Sequence, residues 1–157
     1  MRPICLWGVF YEAKMAFQFF FLTPAFYKDY AHCVEIEQKP TRPHVRVIVR
    51  AEGIDFAVPF RSHINHPHAL LTDKANKSGL DFSKAIVITD YARYVDTQSS
   101  PHIRPNEFNA LRGKEFLAEQ GMLRYLKQYR KALANPTVPR NSTLLKYSTL
   151  QYFSEYI

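Results

Sequence analysis

Residues 44–60 read HVRVIVRAEGIDFAVPF, with Val45, Val47 and Val49 alternating against Arg46, Ile48 and Arg50. That alternation is the period of a half-buried strand. Glu52-Gly53 then offers a two-residue turn, and Ile54, Phe56, Val58 and Phe60 fall on one face of a returning strand. The pattern predicts a β-hairpin. Pro59 has no amide hydrogen for a ladder, so the second strand is expected to end there or to lie at a sheet edge.

Upstream of the hairpin, FQFFFL (residues 17–22) reads as a buried first strand. Thr23-Pro24 follows it, an N-cap hydroxyl with proline at the first helical position, so AFYKDYA should make a short helical turn. Tyr27 and Tyr30 on that turn are candidates to stack on a base, or core residues. EIEQKPTRP (35–43) is polar and broken by two prolines, an exposed and extended approach to the sheet. Downstream, AIVIT (85–89) supplies another strand.

From Asn106 the period becomes helical, and a long amphipathic helix is expected. Phe116, Leu123, Leu126 and Leu133 mark its apolar stripe, with Arg124, Lys127 and Lys131 on another side. Asn141-Ser142 are placed to cap a short helix, and Ser148 with Gln151 has capping-box spacing before the closing QYFSEYI.

The chain is 157 residues long, enough for one domain over residues 1–157 with a sizeable core. Met15 reads as the natural start, with residues 1–14 a mispredicted N-terminal extension that carries a strand-like GVFYEA. No apolar run approaches the length of a bilayer-spanning segment, since Glu12 and Lys14 split the N-terminal patches. Only Cys5 and Cys33 are present, which excludes a disulfide framework and fits a reducing compartment.

The formal net charge is +7 and aromatics make up 15% of the chain, so cations lie beside rings that can stack. Between Arg104 and Lys146 there are nine Lys/Arg and three Glu, nine minus three giving +6, so most of the excess sits in the last third. This fits a nucleic-acid surface, with Arg124, Lys127, Arg130 and Lys131 as its RNA-binding candidates, or a solvated helix face.

FRSHINHPHALLTDKANKSGLDF (60–82) leaves directly from the end of the hairpin, a loop carrying His63, His66 and His68. Three readings stand beside one another. A zinc site needs three or four converging ligands, but Asp73 is the nearest carboxylate and no recognised metal spacing occurs. Surface or packing histidines, with Ser62 capping a turn, would need no function. Metal-free RNA cleavage needs a base for the 2′-hydroxyl, an acid for the departing 5′-oxygen and cations around the phosphorus. FRSHINH holds those types: His63 and His66 for proton transfer, Arg61 for two-point contact with phosphate oxygens and Ser62 as a donor. Lys74 and Lys77 could hold flanking phosphates. Arg42, at the start of the hairpin, is expected at the same end of the sheet as Ser62.

KPTRPHVRVIVRAEGIDFAVPFRSHINH, TDKANKSGLDFSKAIVITD, IRPNEFNALRGKE and the closing STLQYFSEYI together resemble the TenpN branch of type III toxin-antitoxin toxins, relatives of ToxN and AbiQ. The resemblance runs from about Met15 to Ile157. It implies an α+β fold, a compact and highly twisted antiparallel sheet with surrounding helices. It also implies a metal-independent endoribonuclease without cofactors, which leaves 2′,3′-cyclic phosphate and 5′-hydroxyl ends. Its partners would be substrate RNA and a structured, repeat-derived antitoxin RNA in a toxin–RNA hetero-oligomer. The setting would be the bacterial cytoplasm and the role growth inhibition and phage defence.

In the ToxN pattern a basic residue opens one strand, and Thr-Ser followed by Lys ends the next. Arg42 matches the first position and Ser62 the serine, whereas Arg61 replaces threonine and Ile64 the lysine. A histidine slightly further on has His66 as its counterpart. The resemblance therefore assigns proton transfer to His66, with His63 second and Lys74 as a substitute cation. A noncatalytic RNA- or DNA-binding module and a His-ligated metal hydrolase are the competing classes.

Overall fold

The computed structural model describes residues 17–36 and 44–157. Arg42, most of the approach segment and residues 1–14 lie outside the described residues. The hairpin forms as read: β2 (Arg46–Ala51) and β3 (Ile54–Arg61) pair antiparallel, from Arg46 opposite Pro59 to Ala51 opposite Ile54. Glu52 and Gly53 both take positive φ, 53° and 74°. Two such residues make the turn whose twist matches that of the flanking strands.

Around this hairpin stands a mixed α+β fold with an antiparallel sheet. β1 (Phe19–Leu22) pairs with β2, and α1 (Pro24–Asp29) follows under a Thr23 cap whose hydroxyl accepts from Phe26 N–H. β4 (Ala69–Asp73) and β5 (Ser78–Asp81) add on the far side of β3, and β6 (Ile86–Val87) pairs with β3 further along. α2 (Tyr91–Tyr94) leads into β7 (Val95–Asp96), which closes against β1. The strand order is β4-β5-β3-β2-β1-β7. Arg93 and Tyr94 both bond Asp29, which ties α2 to α1.

The C-terminal third is helical: α3 (Pro105–Leu111), α4 (Glu115–Ala134), α5 (Pro139–Tyr147) and two short 3-10 turns. α4 packs across β2, β4 and the 3-10 turn at residues 82–84. No helix among the described residues is long and apolar enough to cross a membrane.

Several expectations are corrected. Pro59 neither ends its strand nor lies on an edge, because β3 runs to Arg61 with partners on both sides. Phe60 N–H donates to Val45 C=O, so the neighbouring proline nitrogen faces away from β2. There it falls between the two partners of β3, β6 at Phe56–Ala57 and β5 at Phe60–Arg61, and interrupts neither ladder. Arg46 is buried rather than exposed, its guanidinium donating to the carbonyls of Ala57 and Lys84. Ile36 is buried as well, although it opens the polar approach.

The histidine loop is itself a hairpin. Thr72, Asp73 and Ser78 are polar, so the alternation that marks a strand is weak there. Backbone geometry decides instead: a Cβ at Gly79 would lie 2.2 Å from the Leu70 carbonyl oxygen, so only glycine permits this approach.

The long helix is two, broken at Arg112-Gly113, and its buried stripe is Ala118, Met122, Tyr125, Leu126, Tyr129 and Ala132. Phe116 and Leu133 are instead more than half exposed, at 63% and 52%. Small and tyrosine side chains supply most of the contact face, which a count of aliphatic residues overlooks. Asn141-Ser142 lie inside α5, which starts at Pro139 after Val138 without a side-chain cap. Ser148 does cap the following turn, its hydroxyl accepting from Leu150 N–H. Tyr27 is buried and Tyr30 stacks on Phe26 at 4.6 Å, both within the core.

Gly79→Ala should lower unfolding free energy by about 2–3 kcal/mol, since a backbone atom cannot move aside as a side chain can. Urea unfolding of the variant against wild type checks this. A loss under about 0.5 kcal/mol, the scale of neutral surface changes, would contradict the close approach.

Candidate functional site

Asp81 ends β5 and caps the 3-10 turn that follows, its carboxylate accepting from Ser83 N–H at 3.0 Å and Ser83 Oγ at 2.6 Å. Its other oxygen accepts from Arg61 at 2.8 Å. Arg61 reaches it because the register sets Arg61 opposite Gly79, two residues before Asp81. His66 Nε2 lies 3.2 Å from the first carboxylate oxygen and 3.1 Å from Ser83 Oγ. The Asp81 side chain is wholly buried, whereas Arg61 and His66 remain about one-third exposed, at 34% and 30%. Burial by itself would raise this carboxyl, but the hydrogen bonds from His66, Ser83 and Arg61 hold it at about 2.

His66 is held from its other side too. The backbone N–H of His68 donates to Nδ1 at 3.1 Å. A neutral ring so engaged carries its proton on Nε2, directed at Asp81 and Ser83. The rings of His66 and His68 sit 5.5 Å apart.

His68 differs. Its ring packs at 5.2 Å on Tyr125, and neither ring nitrogen makes a hydrogen bond among the described residues. Burial first, and then the neighbouring His66, lower its pKa, while Asp81 partly opposes them. Burial thus favours the uncharged form of the His68 ring, whose nitrogens no described residue engages. Tyr125 beneath it donates to Ser148 Oγ at 2.7 Å, and burial pushes its phenol up.

His66, His68, Ser83, Tyr125 and Ser148 line a cavity of about 730 Å³ between residues 66–68, the second half of α4 and α5. Lys131 and Arg140 also line it, and among the described residues no carboxylate does. On the other side of Arg61 lies a smaller cavity of about 290 Å³, lined by Arg46, Lys84, His44, Glu35 and Thr149 among others. Lys84 is engaged there with Glu35 at 3.0 Å and with the Tyr147 carbonyl at 2.8 Å. Asp81 and its partners thus separate two cavities.

The structure brings Arg61 and His66 together on one carboxylate. Ser62 and His63 are exposed and line neither cavity. They run beside the β4–β5 turn, where His63 N–H donates to Asn76 C=O and Ile64 N–H to Lys77 C=O. Lys74 and Lys77 are exposed on that turn, so four of the expected residues gather at the end of the sheet. Arg42 lies outside the described residues. Arg124, Lys127, Arg130 and Lys131 are all exposed on α4, but only Lys131 reaches the large cavity. Arg130 is spent on Glu52 through two bonds of 2.8 Å.

Sequence reasoning missed Asp81, Ser83 and Tyr125 and gave His68 no role. The one available signal was Asp-Phe-Ser after the apolar Leu80, a spacing that caps a turn. No three His, Cys, Asp or Glu side chains among the described residues are placed to hold a metal ion. No protein-family model, curated protein or solved structure matches the chain.

A carboxyl held near 2 is charged in the folded state through a range where the unfolded chain takes up a proton. Its contribution is therefore complete above about pH 4, the unfolded range, and is lost as pH falls towards 2. Urea unfolding from pH 6 down to pH 2 should show wild type losing about 2 kcal/mol more than Asp81→Asn. Parallel profiles would mean that the carboxylate is not held as described.

Proposed function

We propose that this protein is the endoribonuclease toxin of a type III toxin-antitoxin system, cutting RNA without a metal ion. The reading rests first on the four strings that resemble the TenpN branch. The observation that carries the chemistry is the unengaged imidazole of His68, its uncharged form favoured by burial, in a cavity whose described lining has two cations and no carboxylate.

In this reading His68 takes the proton of a ribose 2′-hydroxyl, and the 2′-oxygen attacks the adjacent phosphorus. Lys131 and Arg140 hold the non-bridging oxygens as negative charge builds on them. The bond to the 5′-oxygen breaks, and that oxygen takes the proton from the His68 imidazolium, which returns the ring to its uncharged form, while His66, with both ring nitrogens held by protein, keeps residues 66–68 in place. The products end in a 2′,3′-cyclic phosphate and a 5′-hydroxyl. Arg61 acts through Asp81, as a positioning residue for His66. Ser62, His63, Lys74 and Lys77 meet the strand beyond the cut, and Arg124 and Lys127 add phosphate contacts along α4. A structured repeat RNA would occupy the same surface in a toxin–RNA hetero-oligomer and keep the toxin inactive in the bacterial cytoplasm. Both RNAs should then bind with strong salt dependence.

The test incubates the purified chain with mixed RNA in excess EDTA and maps both fragment ends. Wild type should leave cyclic phosphate and 5′-hydroxyl ends, and His68→Ala should be slower by about 100-fold or more while still binding RNA. Ser62→Ala and His66→Ala, checked for folding, should also lose rate. Binding without cleavage would instead favour a noncatalytic RNA-binding module, and cleavage only after divalent metal is restored would favour a metal hydrolase.

A further inference from the structure

We propose that the cavity between α4 and α5 is a nucleotide pocket, taking one unpaired ribonucleotide with its base inside and its phosphate on Lys131 and Arg140. Gln128 and Asn141 read the edge of that base. The proposal rests on the nuclease reading for the RNA strand to which the nucleotide belongs; the pocket is argued from its own geometry.

Size comes first. At about 730 Å³ the cavity lies within the range of small-ligand sites, roughly 300–1,000 Å³. Charge comes next. Among the described residues neither Lys131 nor Arg140 has an ion-pair partner, and no Asp or Glu lines the cavity. Asp81, just behind, is neutralised by Arg61. The cavity therefore selects an anion. Its walls include Leu144 and the rings of Tyr125 and Tyr147, surfaces that suit a flat, partly apolar body.

The polar groups narrow the class further. Asn141 Nδ2 gives one of its two hydrogens to the Asn135 carbonyl at 3.0 Å, which fixes the amide and leaves its side-chain oxygen as an acceptor. Gln128 makes no side-chain hydrogen bond among the described residues, so it offers both a donor and an acceptor. Two amides presenting a mixed donor and acceptor pattern beside aromatic rings, with cations at the same cavity, match a nucleobase joined to a phosphate. His68 lines the same cavity. A base seated there brings its own ribose to that imidazole, so the nucleotide read is the one at the cut.

The experiment has two arms. In the first, wild type, Lys131→Ala and the double variant Gln128→Ala/Asn141→Ala, each checked for an unchanged thermal midpoint, are titrated with inorganic phosphate and the four ribonucleoside 3′-monophosphates. Wild type should bind one base at least about tenfold more tightly than another, the scale of one unmet hydrogen bond. Lys131→Ala should weaken all four alike, and the double variant should level them. In the second arm, wild type and the double variant cut a randomised RNA pool, and base preference at the cut is read from the fragment ends. That preference should be lost in the double variant.

Four nucleotides bound no better than phosphate, or an unchanged preference in a pool that is cut, would overturn the pocket and leave the nuclease reading standing. Base-selective nucleotide binding with an uncut pool would uphold the pocket and remove the nuclease reading.

Discussion

One buried carboxylate holds the candidate site together. Asp81 has no access to water, and a charge so placed survives only if its oxygens are satisfied from within. Its partners come from three places in the chain: Arg61 at the end of β3, His66 beyond it and Ser83 in the turn that Asp81 itself caps. Meeting this requirement fixes the path of residues 61–68, because the strand end and the histidine must converge on one atom group. The position of His68 follows, since its own backbone N–H closes the remaining valence of His66.

A division of labour between two histidines results. His66 has both nitrogens engaged by protein, whereas His68 has a free ring on an aromatic support. Neighbours in sequence with the same side chain thus differ in what they offer a ligand. The difference arises from partner geometry, which one-dimensional spacing does not carry. The same holds for the α4 cations. Arg130 and Lys131 are adjacent, yet one is tied to the hairpin turn and the other lines the cavity.

The parts of the fold legible in the sequence were those set by local periodicity and local capping. The β2–β3 hairpin, β1 with its Thr23-Pro24 helix start and the cap at Ser148 all announce themselves within a few residues. β4 and β5 did not, because their identity depends on β5 pairing with β3, on β4 pairing with β5 and on the contact of Gly79 with the Leu70 backbone. Arg46 misled for a related reason: a charge on a strand reads as a solvent face until carbonyls of distant residues are found to receive it. At the site, the histidine-rich segment and Arg61 stood out by type. Asp81 did not, since a single aspartate before an apolar residue looks like any turn.

The place of β1 in the sheet bears on how the chain reaches this structure. Phe19 pairs with Val47, 28 residues on, and Leu22 with Val95, 73 residues on, so the first described strand has one near neighbour in sequence and one distant. During synthesis the apolar run Phe19, Phe20, Phe21 and Leu22 emerges long before its second edge can be covered. Contacts so distant in sequence cost loop-closure entropy before they return any stabilisation, which slows their formation. The seating of β7 is therefore the step that removes an exposed, sticky edge from the nascent chain, and slower translation through residues 22–95 lengthens the interval in which that edge is open to another molecule.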